Sequence, residues 1–374
     1  MIIGIDASRA NKPIKTGVEW YSYYLIETLK KIDKKNQYFL YTNKKLESRL
    51  AECPENFKEK VLKWLPVRFW TLIRLSWEMK FGKNKPDLLF VPAHTIPLAV
   101  PKKSVVTVHD VGFERYPELY QWADKFYHRW SIKFIKRNVT KILTISEFSK
   151  QEIMHFYNIP AEKIIVVPIA FDNQVYRVLE KKGDEQVTIN DRYGINGPYF
   201  MFVGRIEAKK NIPNLIKAFG EFRKNNPNDE HKLVLIGKTG YAFEEVEENI
   251  FQYKLEPWVK ILPYLPTEEV VFLLNNAKLF IFPSNYEGFG MPVLEAMACG
   301  CPVICSNTTA LPEVAGEAAI KFNPQKIEAM AKAIETVVNN PQIGAALVGK
   351  GFEQIKKYSW EKCARETLEV FESV

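Results

Sequence analysis

Two glutamates, Glu287 and Glu295, stand eight positions apart around a Gly-Phe-Gly-Met-Pro run, in the stretch FPSNYEGFGMPVLEAMACGCPVICS (282–306). An ionised carboxylate accepts paired hydroxyl hydrogen bonds, the arrangement that sugars and ribose offer. Gly288 and Gly290 let backbone come close to a ligand. The chain then passes through Phe289 and Met291 into Pro292, a residue favoured where a helix opens. The first N–H groups of that helix, with its positive dipole end, suit an anion. Gly300 is placed to cap the helix in the left-handed conformation. The stretch therefore predicts a loop and helix N-terminus built for a hydroxyl-rich, phosphate-bearing ligand; the plainer reading of either glutamate alone is an acid decorating a first turn.

Three shorter signals also follow strand-like runs. In FVGRIEAKKNI (202–212), Arg205 and Lys210 can clamp a diphosphate, the first as a fork and the second as a point charge, or can simply face solvent. In KTGVEWYSYYL (15–25), Gly17 sits where a strand passes into a helix, so its N–H can meet a phosphate. No G-x-G-x-x-G is present, which weakens a dinucleotide reading. In VVTVHD (105–110), His109 ends an apolar run and is either a structural or a ligand-facing histidine.

Each of these residues needs an element to hold it at one edge of a sheet. Strand candidates are 2–5, 38–41, 88–91, 104–108 and 142–145, then 199–203, 232–236, 259–262, 279–282 and 302–305. Several are apolar throughout, as in strands buried on both faces of a parallel sheet. Helix-periodic segments such as 19–32 and 212–224 lie between them. Strand–helix–strand order repeated in both halves predicts an α/β protein with two doubly wound, Rossmann-like domains facing a cleft, with ligands at the carboxyl ends of the strands. The 374 residues exceed what one core usually accommodates. Residues 179–197, polar and carrying Gly183, Gly194 and Gly197, are the candidate linker.

Composition narrows the class. Hydrophobic residues are 47 % and charged residues 26 %, an ordinary globular balance. No apolar run reaches the roughly 18 residues a membrane span needs. The start, MIIGIDASRA, reads as a strand rather than a signal peptide. Five unevenly spaced cysteines argue against a disulfide framework and for a reducing, cytoplasmic setting. Cys299, Cys301 and Cys305 fit no zinc spacing, so no metal and no cofactor is expected. The net charge of +8 is uneven: residues 1–175 carry 29 basic and 18 acidic side chains, the remainder 23 and 26. An anionic partner for the first half follows from that asymmetry. A nucleic acid is not expected, because the charge is spread over many elements and no binding motif occurs.

These motifs, with TKILTISEFSKQEI (140–153) and the closing YSWEKCARETLEVFE (358–372), resemble the retaining GT-B glycosyltransferases that carry a Glu–seven residues–Glu motif, a family 4-like group with many mannosyl- and glucosyltransferases. The resemblance covers nearly the whole chain. It implies an N-terminal domain over 1–178, completed by a C-terminal helix at 358–374 that crosses back, and a donor-binding domain over 195–357. It implies transfer of a hexose, with mannose from GDP-mannose preferred, from a GDP- or UDP-sugar to a glycan or lipid-linked acceptor. By the same resemblance Glu287 contacts the transferred sugar and Glu295 the ribose. Arg205 and Lys210 neutralise the diphosphate, and Gly17 meets the same phosphates. The backbone at Gly288, Phe289, Gly290 and Met291 holds sugar and phosphate. His109 lies near the reacting carbon, and the base lies near Lys238 and Leu265. The family often has Gly-Tyr where this chain has Pro263-Tyr264, and often Gly where it has Ala170. No Asp-x-Asp motif is present, and metal-independent transfer is the expectation.

The basic first half contains KWLPVRFWTLIRLSWEMKF (63–81), with Trp64, Phe69, Trp70 and Trp77 among Arg68, Arg74 and Lys80. It reads either as a helix packing its aromatic face into the core or as peripheral contact with an anionic membrane at the inner face. The competing reading of the whole chain is a catalytically silent nucleotide-sugar-binding module on the same fold. A GT-B epimerase or phosphorylase fits less well, since no pyridoxal-type lysine motif is evident.

Overall fold

A computed structural model describes residues 1–64, 69–180 and 192–374. Arg68, and Gly183 in the candidate linker, lie outside the described residues. The chain divides into two compact units, one of Met1–Ile169 with Ser359–Val374, the other of Ala170–Tyr358.

The first unit is built on a seven-stranded sheet of β1 (Ile2–Asp6), β2 (Gln37–Thr42), β3 (Phe57–Val61), β4 (Leu88–Val91), β5 (Ser104–Thr107), β6 (Lys141–Thr144) and β7 (Ile164–Val166), in the order β3-β2-β1-β4-β5-β6-β7. Every pairing is parallel. The central strands are the apolar runs: Leu88–Val91 and Ser104–Thr107 are buried at every residue. Helix Gly17–Ile32 follows β1; Thr16 sits at its N-cap and gives its N–H to Glu19 (3.2 Å). The last helix, Trp360–Glu372, belongs to this unit. Ser359 caps it by accepting from the Lys362 N–H (3.1 Å). Trp360 stacks on Tyr24 (5.2 Å between centroids) and Phe371 packs on Phe90 (5.1 Å). An amphipathic helix far away in sequence is thus held by two aromatic contacts and the buried Cys363, Ala364, Thr367 and Val370.

The described residues of 63–81 pack into the core only in part. A π-helical turn, Trp70–Leu75, runs into helix Ser76–Phe81. Trp70 is buried and gives its indole N–H to the Leu62 carbonyl (2.6 Å), and Trp64 packs against the core. Phe69, Ile73, Trp77 and Phe81 are exposed. One helical repeat therefore serves the core with one face and presents aromatic rings to water with the other.

The second unit has a six-stranded parallel sheet: β8 (Tyr199–Val203), β9 (Lys232–Ile236), β10 (Val259–Leu262), β11 (Leu279–Phe282), β12 (Val303–Ser306) and β13 (Ala319–Phe322), ordered β10-β9-β8-β11-β12-β13. Helix Ile212–Asn225 follows β8 and helix Met291–Ala298 follows β11. Strands β3, β7 and β13 are absent from the sequence-based set, and Ala170 follows β7. All three missed strands are sheet edges: β3 and β13 are interrupted by charged residues, and β7 is an apolar run of only three residues. Among the described residues no helix is long and apolar enough to cross a membrane, and no cluster of metal-ligating side chains occurs. Cys299, Cys301 and Cys305 are free thiols buried in the second unit.

Candidate active site

The carboxyl ends of β10, β9, β8, β11 and β12 lie side by side in the second sheet, so the loops that leave them are neighbours. The loop after β8 and the loop after β11 are tied together by backbone. Asn285 gives its N–H to the Lys209 carbonyl (3.0 Å) and its side-chain amide to the Ala208 carbonyl (3.2 Å). Asn211 closes the first loop in the left-handed conformation (φ 60°) and reaches the Pro324 carbonyl (2.7 Å). These ties fix where two charged side chains meet. Lys210 Nζ donates to Glu287 Oε1 in a partly buried ion pair, with the ammonium 5.6 Å from the Phe282 ring. The Glu287 N–H is taken by Thr309 Oγ1 (3.2 Å) from the loop after β12.

Arg205 lies further out. Its Nε is 3.2 Å from Glu207 Oε2, and two-thirds of its side chain (66 %) is exposed. The backbone just past the paired strands β8 and β9 is tight: a Cβ on Gly237 (φ +150°) would run directly into the Gly204 carbonyl oxygen. Lys238 continues this edge through its carbonyl, which accepts the Ile206 N–H (2.9 Å). Leu265 is buried just past β10, while Tyr264 is exposed.

The loop after β11 passes through Gly288 and Phe289, both buried, to Gly290. Phe289 is set edge-on to Tyr358 (5.6 Å). Gly290 is the N-cap of helix Met291–Ala298, with φ +108°, and an added Cβ would lie 2.5 Å from Leu311 Cδ2. Only glycine can make this turn under Leu311 and still deliver Met291 and Pro292 into the first helical turn. Glu295, partly buried on that helix, accepts a hydrogen bond from the Tyr176 side chain. Burial pushes its carboxyl up to about 7, with the Tyr176 hydrogen bond opposing. A carboxyl desolvated in this way suits a ligand that brings further hydroxyl donors.

In the first unit, His109 is buried two residues past β5. Its Nε2 is 3.3 Å from the Pro92 carbonyl, and its ring stands edge-on to Tyr21 (4.8 Å). Burial holds its pKa down at about 4, so the imidazole is neutral at pH 7. Gly17 opens the first helix, with nothing within 4 Å of the position a Cβ would take. The carboxylate of Glu19 already sits at that helix end, beside Lys12 (2.9 Å) and Arg9 (3.5 Å). Burial raises the Glu19 pKa, but Thr16 and Lys12 outweigh it and hold the group at about 2.

Lys210, Glu287 and the helix opened by Gly290 are thus brought to one edge. Arg205 is turned to Glu207 instead. Thr309, Glu207 and Tyr176 shape the site and are not anticipated by sequence reasoning. They belong to no recognisable spacing, and each comes from a different segment.

The two halves of the chain match two family models: Glycosyltransferase Family 4 over residues 15–175 and Glycosyl transferases group 1 over residues 188–354. The O-antigen chain mannosyltransferase B of Escherichia coli is 30 % identical over 271 residues, covering 72 % of this chain and 70 % of that one. The O-antigen chain mannosyltransferase RfbU of Salmonella typhimurium is 30 % identical over 281 residues, covering 75 % and 72 %. Among solved structures, Anabaena Alr3699/HepE in complex with UDP and glucose matches all of this chain and 99 % of its own, with a TM-score of 0.73 at 17 % identity. Sucrose-phosphate synthase from Thermosynechococcus elongatus matches likewise, over 100 % and 98 %, with a TM-score of 0.75 at 17 % identity. The chain is a glycosyltransferase of the GT-B fold and belongs to the family whose two halves are the family 4 and group 1 glycosyltransferase domains.

Proposed function

We propose that this enzyme transfers mannose from GDP-mannose to a glycan or a lipid-linked glycan, with retention of configuration and without a metal ion, at the cytoplasmic face of the membrane. The observation that carries the reading is the Lys210–Glu287 pair beside the N-terminus of helix Met291–Ala298. Sugar transfer builds positive charge at the anomeric carbon and negative charge on the departing diphosphate. A fixed ammonium, a helix N-terminus and the exposed fork of Arg205 supply the positive charge that the second of these needs. Glu287, oriented by Lys210 and Thr309, accepts from hydroxyls of the transferred sugar. Glu295 takes the ribose, Gly288 to Met291 hold sugar and phosphate by backbone, and the base rests near Lys238 and Leu265. Gly17 offers an N–H to phosphate, and His109, being neutral, acts as a hydrogen-bonding group rather than a cation. The preference for mannose is supported by the two O-antigen mannosyltransferases at 30 % identity.

Thermal stabilisation in EDTA by GDP, UDP, ADP and dTDP, with and without their sugars, tests the reading. A ligand present at about 100 times its dissociation constant adds roughly 2.7 kcal/mol. GDP and GDP-mannose should raise the melting temperature most. A larger shift with UDP-sugars reassigns the donor, and no shift with any nucleotide leaves a silent module.

A further inference from the structure

The carboxylate of Glu295 is met from a segment far away in the chain. Its hydrogen-bond donor is the side chain of Tyr176, on the stretch that opens the second unit. That stretch is held on both sides of the tyrosine. Before it, Asp172 folds a compact turn: its carboxylate accepts the Gln174 N–H (3.0 Å), and its carbonyl accepts the N–H groups of Val175 (3.2 Å) and Tyr176 (2.8 Å). After it, Asn275, near the end of helix Thr267–Asn276, clamps the backbone. Its side-chain amide donates to the Arg177 carbonyl (3.0 Å), and its side-chain oxygen accepts the Leu179 N–H (2.8 Å). The Arg177 backbone also bonds the thiol of Cys299, which ends the helix that carries Glu295. Val178 lies against the next turn, since a Cβ on Gly300 would sit 3.4 Å from Val178 Cγ2.

Backbone ties on either side thus deliver Tyr176 to Glu295, from outside the helix that bears the glutamate. A phenol O–H on an ionised carboxylate is a charge-assisted hydrogen bond. It uses one of about four lone-pair sites on the two oxygens, which leaves the others for a ligand. Packing alone does not ask for that hydroxyl, because a phenylalanine would fill the same space and give up only the bond. A glutamate without the bond would have three side-chain torsions to fix when a ligand arrives.

We propose that Tyr176 is a positioning residue of the donor site: its hydroxyl fixes the direction of the Glu295 carboxylate, so that the ribose hydroxyls meet an acceptor already oriented. Binding energy then goes into the ribose contact instead of into ordering the side chain. The inference rests on the reading that Glu295 takes the ribose, and goes beyond it by naming the residue that orients that carboxylate.

Calorimetric titration of the full chain tests it, in EDTA at about pH 8, where Glu295 is largely ionised. The probes are GDP and 2′,3′-dideoxy-GDP, or the corresponding UDP pair if UDP binds more tightly. The parent should bind the ribonucleotide about tenfold more tightly than the dideoxynucleotide, as hydroxyls on a charged acceptor warrant. Tyr176→Phe should weaken the ribonucleotide about fivefold and leave the dideoxynucleotide within about twofold. Glu295→Gln should collapse the ratio as well, and adding Tyr176→Phe to it should lower the ratio no further. The ratio is decisive because a loosened fold weakens both nucleotides alike, and the melting temperature of each unliganded variant is the folding control. A ratio lost in Glu295→Gln but kept in Tyr176→Phe overturns the proposal and leaves the ribose reading standing. So does a Tyr176→Phe chain that loses both nucleotides equally. A parent that binds neither nucleotide, or shows a ratio near one, or a ratio that Glu295→Gln leaves unchanged, overturns the ribose reading and the proposal with it.

Discussion

At the scale of single residues, the central object is the Lys210–Glu287 pair. Both side chains are mostly withdrawn from water, at 19 % and 14 % exposure. Removing one partner of such a pair strands the other, whereas removing both does not. Lys210→Met should therefore lower stability by about 1–3 kcal/mol, and adding Glu287→Leu should restore most of it. Activity should fall by about 10²–10³ in both single variants and stay lost in the double variant, because charge aimed at a departing diphosphate cannot be replaced by packing. Chemical denaturation and steady-state turnover read the two effects separately. Equal stability losses that simply add would show that the pair is not coupled, and turnover retained in Glu287→Gln would remove that carboxylate from the reaction. Sequence spacing pointed to Lys210, Glu287 and Glu295 because each sits just after a strand or a helix start. It did not reveal that Arg205 turns toward Glu207, because a carboxylate two residues away competes locally for the guanidinium.

At the scale of elements, what was legible follows from burial. Central strands such as Leu88–Val91 carry apolar residues on both faces and announce themselves. The missed edge strands do not: β3 reads FKEKV and β13 reads AIKF, each interrupted by charge, and β7 (IIV) is only three residues long. The segment 63–81 was ambiguous for a related reason, since its aromatic residues serve two faces of one helix. The helix Met291–Ala298 was legible because its start demands glycine and proline together. Gly290→Ala tests that demand. With φ at +108° and Leu311 2.5 Å from the new Cβ, the substitution meets both backbone strain and a clash. It should cost about 1–3 kcal/mol, and nucleotide affinity should fall with it, since the helix N-terminus shifts. A variant with unchanged melting temperature and nucleotide affinity would show that the turn tolerates a side chain, and that glycine there serves neither packing nor ligand.

At the scale of the whole molecule, the two units carry buried titratable groups that respond to acid in opposite directions. In the first unit, burial lowers His109 to about 4 and also lowers His94 and His128. Below pH 6.5 the unfolded chain takes up protons that the folded unit refuses, so stability falls as pH drops from 6.5 toward 4. Asp110 and Glu19 oppose this weakly at His109, Arg9 adds to it, and Asp6, raised by burial, opposes at the acid end. In the second unit burial raises Glu295 to about 7. There the folded unit holds a proton that the unfolded chain has released, so stability rises as pH falls from 7 toward 4.5. Variants that cannot titrate isolate each contribution. Relative to the parent, His109→Gln should gain about 2 kcal/mol between pH 7 and pH 5, as the parent loses what the variant never had. Over pH 8 to 5, Glu295→Gln should lose about 2.5 kcal/mol relative to the parent, because only the parent gains from reprotonation. Denaturation curves at four pH values decide it. Slopes of the same sign would mean that one of the two groups is solvated in the folded chain. If the flat slope belongs to Glu295, that carboxylate is open to water before any nucleotide arrives and cannot draw binding energy from its own desolvation.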